Sequence, residues 1–233
     1  MMSLQRLVAF NSAKRSRIRF LVAGLCLLLL FGSGCGTKRK VEEKEPKLTA
    51  REKAARQRVA DWQILIEEKR NGPIAEKLVA VNRFFNRLEF VDDLSHWGKE
   101  DYWSTPTEML VSNGGDCEDF AIAKYLTLLQ MQVPVARLRL TYVKSLKINK
   151  PHMVLSFYPT PASEPLLLDS LAEKVVPASQ RPDLVPIYSF NGDGLWMAKQ
   201  RGDEKRVGNA DQLSRWQEVL QRFRNEAHAA PSR

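Results

Sequence analysis

The stretch Gly114-Gly115-Asp116-Cys117-Glu118-Asp119-Phe120-Ala121 joins a glycine turn to a single cysteine and then to an apolar helical repeat. The apolar residues recur at i, i+3, i+4 and i+7, the spacing of one buried helix face: Ile122, Tyr125, Leu126 and Leu129. We therefore predict that Cys117 lies in the first turn of a buried helix. At such a position, free backbone N–H groups and the helix dipole stabilise a thiolate.

Three carboxylates flank this sulfur. Asp116, Glu118 and Asp119 place negative charge beside Cys117, and like charge raises the pKa of a thiol. A cation held by oxygen ligands would remove the conflict, and Ca²⁺ accepts several carboxylate and carbonyl oxygens in flexible geometry. Acidic residues are also ordinary in the first turn of a helix, so a purely structural role for them stays open.

The number and positions of the cysteines limit the roles that Cys117 can have. Of the three cysteines, Cys26 and Cys35 lie in or next to an N-terminal apolar segment. If that segment is removed, Cys117 stands alone, which excludes an intramolecular disulfide and a metal site with several cysteine ligands. A lone cysteine is either a nucleophile or a small buried hydrophobic residue, and its place after Gly-Gly-Asp favours the nucleophile.

Composition fits one globular domain with appendages. The chain has 233 residues, of which 44% are hydrophobic and 27% charged, enough for a sizeable core. Residues 1–35 hold five basic residues and no acid, so of the net charge of +9 only +4 remains for the rest. We find no basic stripe interleaved with aromatic residues, and the charge does not indicate nucleic-acid binding.

Residues 1–35 have the pattern of an export signal. A basic region precedes the apolar run from Phe20 to Phe31, and small residues follow it up to Cys35. The run is short for a membrane span. Cleavage near Gly34, lipidation of Cys35 and retention as an uncleaved anchor remain open. All three place the rest of the chain outside the cytoplasm, in a bacterial periplasm.

The rest of the chain is predicted to form a charged linker over 36–50, one domain over 51–225 and a flexible tail over 226–233. Helices are predicted from their apolar spacing over 54–69, 74–87 and 210–225. Strands are predicted from alternating or apolar runs over 136–144, 152–158, 166–171 and 195–197. Thr105 and Pro106 fit the N-cap and first position of a short helix.

A histidine and an aspartate complete a candidate triad. A thiol nucleophile needs a base, and the base needs a partner that fixes its tautomer. If strands 152–158 and 166–171 pair as an antiparallel hairpin, opposed positions sum to about 323. His152 then meets Asp169 within two residues, which is inside side-chain reach. His96 as the base and Asp183 as the orienting acid remain alternatives.

Three segments together resemble the bacterial transglutaminase-like cysteine proteinases of the LapG type: Gly115–Ala121, Pro151–Leu155 and Leu168-Asp169-Ser170. The resemblance covers roughly residues 50–220, nearly the whole exported chain. It implies an α+β, papain-like fold in its transglutaminase-like variant, with a helical lobe packed on an antiparallel sheet. It also implies the site residues, namely a triad of Cys117, His152 and Asp169 and a Ca²⁺ ion bound by Asp116, Glu118 and Asp119.

The same resemblance implies a biological role. Members of this family are periplasmic endoproteases that cut the N-terminal region of large surface adhesins, typically at a paired-alanine site, and so release cells from biofilms. An inner-membrane receptor for cyclic di-GMP sequesters the protease when the nucleotide is abundant. The resemblance therefore implies a calcium-dependent cysteine endopeptidase with an adhesin as substrate and this receptor as partner.

Alternatives with the same residues stay open at this point. A transglutaminase or a peptidoglycan amide hydrolase would use the same triad and differ in the second nucleophile or in the substrate. A non-catalytic calcium-binding module that docks on a membrane receptor is the alternative outside catalysis. In the enzymatic scheme the backbone N–H of Cys117 contributes to the oxyanion hole, and Trp103 is a candidate for the second donor.

Overall fold

The structure, a computed structural model, describes residues 48–198, 204–210 and 213–229. The helices span the following ranges: α1 Ala50–Lys69, α2 Ile74–Phe85, α3 Asp93–Trp97, α4 Pro106–Ser112, α5 Cys117–Gln130 and α6 Ser214–Ala229. Capping boxes begin α1 at Thr49 and α4 at Thr105, each with a glutamate three residues later. The predicted export segment and most of the predicted linker lie outside the described residues.

A seven-stranded antiparallel sheet forms the second layer. Its strands have these bounds: β3 Leu138–Ser145, β4 Lys150–Phe157, β5 Leu166–Leu168, β6 Val176–Pro177, β7 Leu184–Phe190, β8 Leu195–Ala198 and β9 Glu204–Gly208. They lie side by side in the order β6-β5-β4-β3-β7-β8-β9. A separate parallel pair joins β1, Glu89–Phe90, to β2, Gly114–Gly115. This pair brings the segment before α3 next to the start of α5.

Helix α5 is the centre of the core. The apolar repeat predicted one buried face, but every residue from Asp119 to Leu129 is buried, because α2 and α4 pack against the helix in addition to strands β3 and β4 of the sheet. The indole Nε1–H of Trp62 on α1 donates to the hydroxyl of Thr127 at 2.8 Å, so even a polar residue of α5 is paired. The position of Cys117 at the start of α5 is therefore fixed by packing on all sides.

The predicted hairpin forms in the predicted register. Leu155 pairs with Leu168 and Phe157 with Leu166, so opposed positions sum to 323. Strand β5 ends at Leu168, earlier than expected, and Asp169 is the first residue after it. The chain leaves the sheet there because the carbonyls of Asp169 and Ala172 accept from the side chain of Asn86, the C-cap residue of α2, rather than from β4.

Two further differences concern helices. The last helix continues past its predicted end at Asn225 to Ala229, so the first residues of the predicted flexible tail are helical. The strand predicted from residue 136 begins at Leu138, after a 3₁₀ turn over Val135–Arg137.

Across the ranges that the structure describes, no helix combines the length and apolar character that a membrane crossing needs.

Candidate active site

A capping box places Cys117 at the first position of α5. Asp116 is the N-cap, and its carboxylate accepts a hydrogen bond from the N–H of Glu118 at 3.2 Å. Asp119, three residues later, folds back and accepts from the N–H of Asp116 at 3.3 Å. Gly115 leaves the room for this, because a Cβ there would lie 2.7 Å from the Cβ of Asp119. The Gly-Asp-Cys-Glu-Asp pattern is thus a local device that starts a helix on the cysteine.

The sulfur of Cys117 lies between a carboxylate and the start of β4. Its thiol donates to Oε2 of Glu118 at 2.7 Å. The backbone N–H of Met153 partly opposes the rise in the pKa of this thiol. Burial raises the pKa of the Cys117 thiol, and the charges of Glu118 and Asp116 raise it further. The predicted charge conflict is therefore present, and it outweighs the thiolate stabilisation that we expected from the helix start.

His152 and Asp169 form a buried pair. Nε2 of His152 is 2.7 Å from Oδ1 of Asp169, and both side chains are almost completely buried. The N–H of Leu171 donates to the same oxygen at 2.9 Å. Burial alone would raise the pKa of Asp169, but the hydrogen bonds from His152, Leu171 and Arg181 outweigh it and hold that pKa well below its usual range.

The pairing fixes the roles of the two imidazole nitrogens. An ionised carboxylate only accepts hydrogen bonds, so Nε2 carries the proton that His152 shares with Asp169. Nδ1 is then the basic nitrogen. The N–H of Met153, the residue after His152 in β4, acts on the pKa of the Cys117 thiol, so the start of α5 faces this part of β4. This arrangement fits general-base catalysis on a thiol.

The two alternatives for base and acid have other contacts. His96 lies on α3 and packs edge-on against the ring of Trp97, with ring centroids 4.7 Å apart. Asp183 binds the guanidinium of Arg181 through both carboxylate oxygens. The histidine that contacts an aspartate is His152, and the aspartate that it contacts is Asp169.

A carboxylate cluster lies beside the nucleophile. Asp93, Asp116 and Asp119 each place an oxygen within 4.8 Å of the others. Asp93, the first residue of α3, was missed in the sequence, where the Asp92-Asp93 pair has the ordinary look of a helix start. Glu118 belongs to a second group, with Asp116 and Cys117. The structure thus groups Asp116 and Asp119 with Asp93, and Glu118 with Asp116 and Cys117, while the predicted ligand set of Asp116, Glu118 and Asp119 stays a prediction.

The residues of this cluster fit a bound cation. Oδ1 of Asp93 is buried and has no hydrogen-bond partner among the described residues, although Oδ2 accepts from the N–H of Tyr102. Burial and the neighbouring carboxylates raise the pKa of Asp116 to about 9. Burial raises the pKa of Asp119 to about 7, even though its Oδ1 accepts from the N–H of Ser104 at 2.6 Å. Ionising three such groups together is unfavourable without positive charge, and an all-oxygen donor set suits Ca²⁺.

Trp103, the candidate second donor of the oxyanion hole, packs into the core. It is 9% exposed and stacks on Phe190 with ring centroids 5.9 Å apart. Its indole Nε1–H is buried and has no acceptor within the described ranges. A free buried donor is compatible with the predicted role, which stays a prediction.

Comparisons with known proteins identify the family. A family model described as bacterial transglutaminase-like cysteine proteinase matches residues 51–198, more than half of the chain. No curated protein matches the chain. Among solved structures, LapG of Legionella pneumophila treated with EGTA is 48% identical, with a TM-score of 0.66, over 72% of this chain and 89% of that one. The calcium-bound form of the same protein is 47% identical, with a TM-score of 0.65, over 73% of this chain and 91% of that one.

These matches confirm the predicted α+β, transglutaminase-like architecture, in which helices pack on an antiparallel sheet and a cysteine begins the central helix. They also confirm that the chain is an enzyme of the cysteine peptidase class. The chain belongs to the bacterial transglutaminase-like cysteine proteinases.

Proposed function

We propose that this cysteine peptidase is a calcium-dependent endopeptidase of the periplasm that cuts the N-terminal region of a large surface adhesin and thereby releases cells from biofilms. The observation that carries the proposal is the direct link between the carboxylate cluster and the nucleophile, because Asp116 borders Cys117 in sequence and caps its helix. The calcium-bound and EGTA-treated structures of the Legionella relative support a calcium dependence. The predicted export signal over residues 1–35 supports the location.

The triad supplies the chemistry. The sulfur of Cys117 attacks the carbonyl carbon of the peptide bond while Nδ1 of His152 takes the thiol proton. The oxyanion that forms accepts a hydrogen bond from the backbone N–H of Cys117. His152 then returns the proton to the leaving amine, and water attacks the resulting thioester with His152 again as the base. Asp169 holds the imidazole in the required tautomer throughout.

Asp93, Asp116 and Asp119 would hold the calcium ion, with backbone carbonyls or water completing its shell. Bound calcium supplies positive charge that favours the ionised forms of nearby acids. Glu118 has a different role, because its carboxylate accepts a hydrogen bond from the thiol of Cys117 at 2.7 Å. We expect this contact to compete with His152 for the thiol, so release of Cys117 from Glu118 precedes catalysis.

The adhesin substrate and a sequestering inner-membrane receptor for cyclic di-GMP are part of the same proposal, and family membership supports them. Two alternatives remain among enzymes with this triad. A transglutaminase would give an amine adduct in place of the hydrolysed product. A peptidoglycan amide hydrolase would release peptides from cell-wall material and leave an adhesin intact.

The test is a cleavage assay. The purified protein is mixed with the N-terminal fragment of a large adhesin from the same genome, with added Ca²⁺ or with a calcium-selective chelator, and the product ends are mapped. We expect a single cut that vanishes with the chelator and returns with Ca²⁺. Cleavage that is equally fast with the chelator would support the triad and contradict the calcium dependence. No cut by a folded protein in either condition would favour the transferase or amide-hydrolase reading.

Asp93→Asn is expected to remove most of the stabilisation by calcium. Calcium at a hundred times its Kd stabilises a folded protein by about 2.7 kcal/mol, which raises Tm by about 5–10 °C in a chain of this size. Asparagine keeps the shape of Asp93 and its acceptor for the N–H of Tyr102 but removes the negative charge. Melting curves with and without Ca²⁺ measure the difference.

Asp92→Asn is the matched control. Asp92 is exposed and caps α3 by accepting from the N–H of Ser95, a role that asparagine also fills. This variant should keep the full calcium-induced shift in Tm. If Asp93→Asn keeps it as well, Asp93 is not a calcium ligand.

A further inference from the structure

The carboxylate of Asp169 has a second partner that faces away from the histidine. Oδ1 accepts from His152 and from the N–H of Leu171, while Oδ2 accepts from Nη1 of Arg181 at 2.7 Å. The side chain of Asp169 is completely buried, and that of Arg181 is 16% exposed. Both oxygens are therefore engaged, and each points in a fixed direction.

Arg181 is itself held in place. Asp183 binds the other edge of its guanidinium, with Nε to Oδ1 and Nη2 to Oδ2 both at 2.9 Å. The carbonyl of Asp183 accepts from the N–H of Leu146 at 2.7 Å, at the end of β3. The planar fork of an arginine allows both edges to bind at once, which neither lysine nor a neutral side chain can do.

The backbone of Asp169 is fixed from the opposite side. Asn86, the C-cap residue of α2, donates its amide to the carbonyls of Asp169 and Ala172, at 2.9 and 3.0 Å. Asn82, one turn earlier, donates to the carbonyls of Ala172 and Glu173. These bonds position the main chain but leave the carboxylate free to rotate about its terminal torsion. The N–H of Leu171 on Oδ1 and Arg181 on Oδ2 set this rotation from opposite sides of the carboxylate.

We infer that Arg181 is a positioning residue for catalysis, which orients the carboxylate of Asp169 toward Nε2 of His152 and is itself oriented by Asp183. The charged groups around Asp169 have distinct parts in this arrangement. His152 and Arg181 contact it, Asp183 lies behind Arg181, and the buried ammonium of Lys124 acts on it from α5 without a hydrogen bond to it. The inference rests on the triad of the proposed function and adds a fourth and a fifth member behind it.

Arg181→Ala is expected to lower kcat by about 10- to 100-fold with KM unchanged, because a misplaced orienting group slows chemistry without altering substrate binding. Guanidinium chloride, added at millimolar concentration and far below its denaturing range, should restore part of kcat by filling the vacated position. Arg181→Lys should recover less than full activity, since an ammonium cannot bind Asp169 and Asp183 as a fork.

Arg137→Ala is the matched control. Arg137 donates to the carbonyls of Tyr158 and Pro159 and is a structural arginine outside the triad network. This variant should lose stability without a selective fall in kcat and without guanidinium rescue. A rise in KM at constant kcat in Arg181→Ala, or a loss of activity that tracks Tm and ignores guanidinium, would overturn the inference.

The low-field proton resonance of the His152–Asp169 hydrogen bond gives a readout that needs no substrate. We expect this resonance to shift or broaden in Arg181→Ala and to remain unchanged in Arg137→Ala. A wild-type enzyme that shows the resonance but leaves the adhesin intact would count against the proposed substrate and not against Arg181. A resonance unchanged by the loss of Arg181 would count against the positioning role alone.

Discussion

Cys117→Ala is expected to abolish peptide cleavage, with a loss in kcat on the order of 10⁶-fold, the magnitude seen when a nucleophile is removed from a catalytic triad. Cys117 is the free cysteine within the ranges that the structure describes, and it is the first residue of the central helix α5. No neighbouring side chain can take over the covalent step. Initial rates on the adhesin fragment with added Ca²⁺ measure the loss.

The same variant should keep its fold and its calcium site. Cys117 is only half-buried at the first position of α5, so removal of its sulfur leaves a small void. The capping box and the carboxylate cluster do not use the thiol. Circular dichroism, Tm and the calcium-induced shift in Tm should therefore match the wild type. Cleavage by Cys117→Ala at a comparable rate would remove Cys117 from the role of nucleophile.

The second large effect concerns stability and its dependence on pH. Lys124 on α5 is fully buried and donates to Oδ1 of Asn82 at 2.8 Å. Burial lowers its pKa to about 7, although the negative charge of Asp169 partly opposes this. The unfolded chain therefore takes up a proton between about pH 10 and pH 7 that the folded chain does not bind. The free energy of unfolding is therefore highest above about pH 10, where Lys124 is neutral in both states, and it falls as the pH is lowered toward 7.

We expect the free energy of unfolding of the wild type, measured relative to Lys124→Met, to rise by up to about 5 kcal/mol between pH 7 and pH 10. Methionine fills a similar volume without titrating, so the difference isolates the ammonium group. Buried tyrosines, such as Tyr125 with its raised pKa, affect both proteins equally and cancel. Urea unfolding at a series of pH values supplies the measurement.

Lys144→Met is the control for this prediction. Lys144 is an exposed lysine on β3, so its loss should change the free energy of unfolding little at any pH. Parallel pH profiles for the wild type and Lys124→Met would show that Lys124 stays protonated in the folded protein and would contradict the prediction.

Local sequence determined the start of α5 and the register of the hairpin. The capping box needs only residues 115–119, and the position of Cys117 follows from it. The register of β4 against β5 depends on one short loop, so symmetry about that loop was enough to bring His152 to Asp169. Each of these features is fixed by neighbours in the chain, which is why spacing alone could predict them.

The split of the carboxylates could not be read from spacing. Asp116, Glu118 and Asp119 are adjacent in sequence, but successive helical residues point about 100° apart. The N-cap and N3 positions therefore turn Asp116 and Asp119 toward each other, while Glu118 turns to the sulfur. Proximity in sequence predicted one cluster of three carboxylates. In the helix, Asp119 and Glu118 instead belong to two different groups that share Asp116.

What the sequence determined by itself was the helix that begins at Cys117 and the pairing of His152 with Asp169, since each rests on contacts within a short segment. Only the tertiary structure added Asp93 and Arg181. Asp93 reaches the cluster because β1 pairs with β2, and Arg181 reaches Asp169 because a loop beyond β6 folds back behind it. Both contacts join residues from separate segments, and the packing that brings such segments together leaves no periodic signal in the chain.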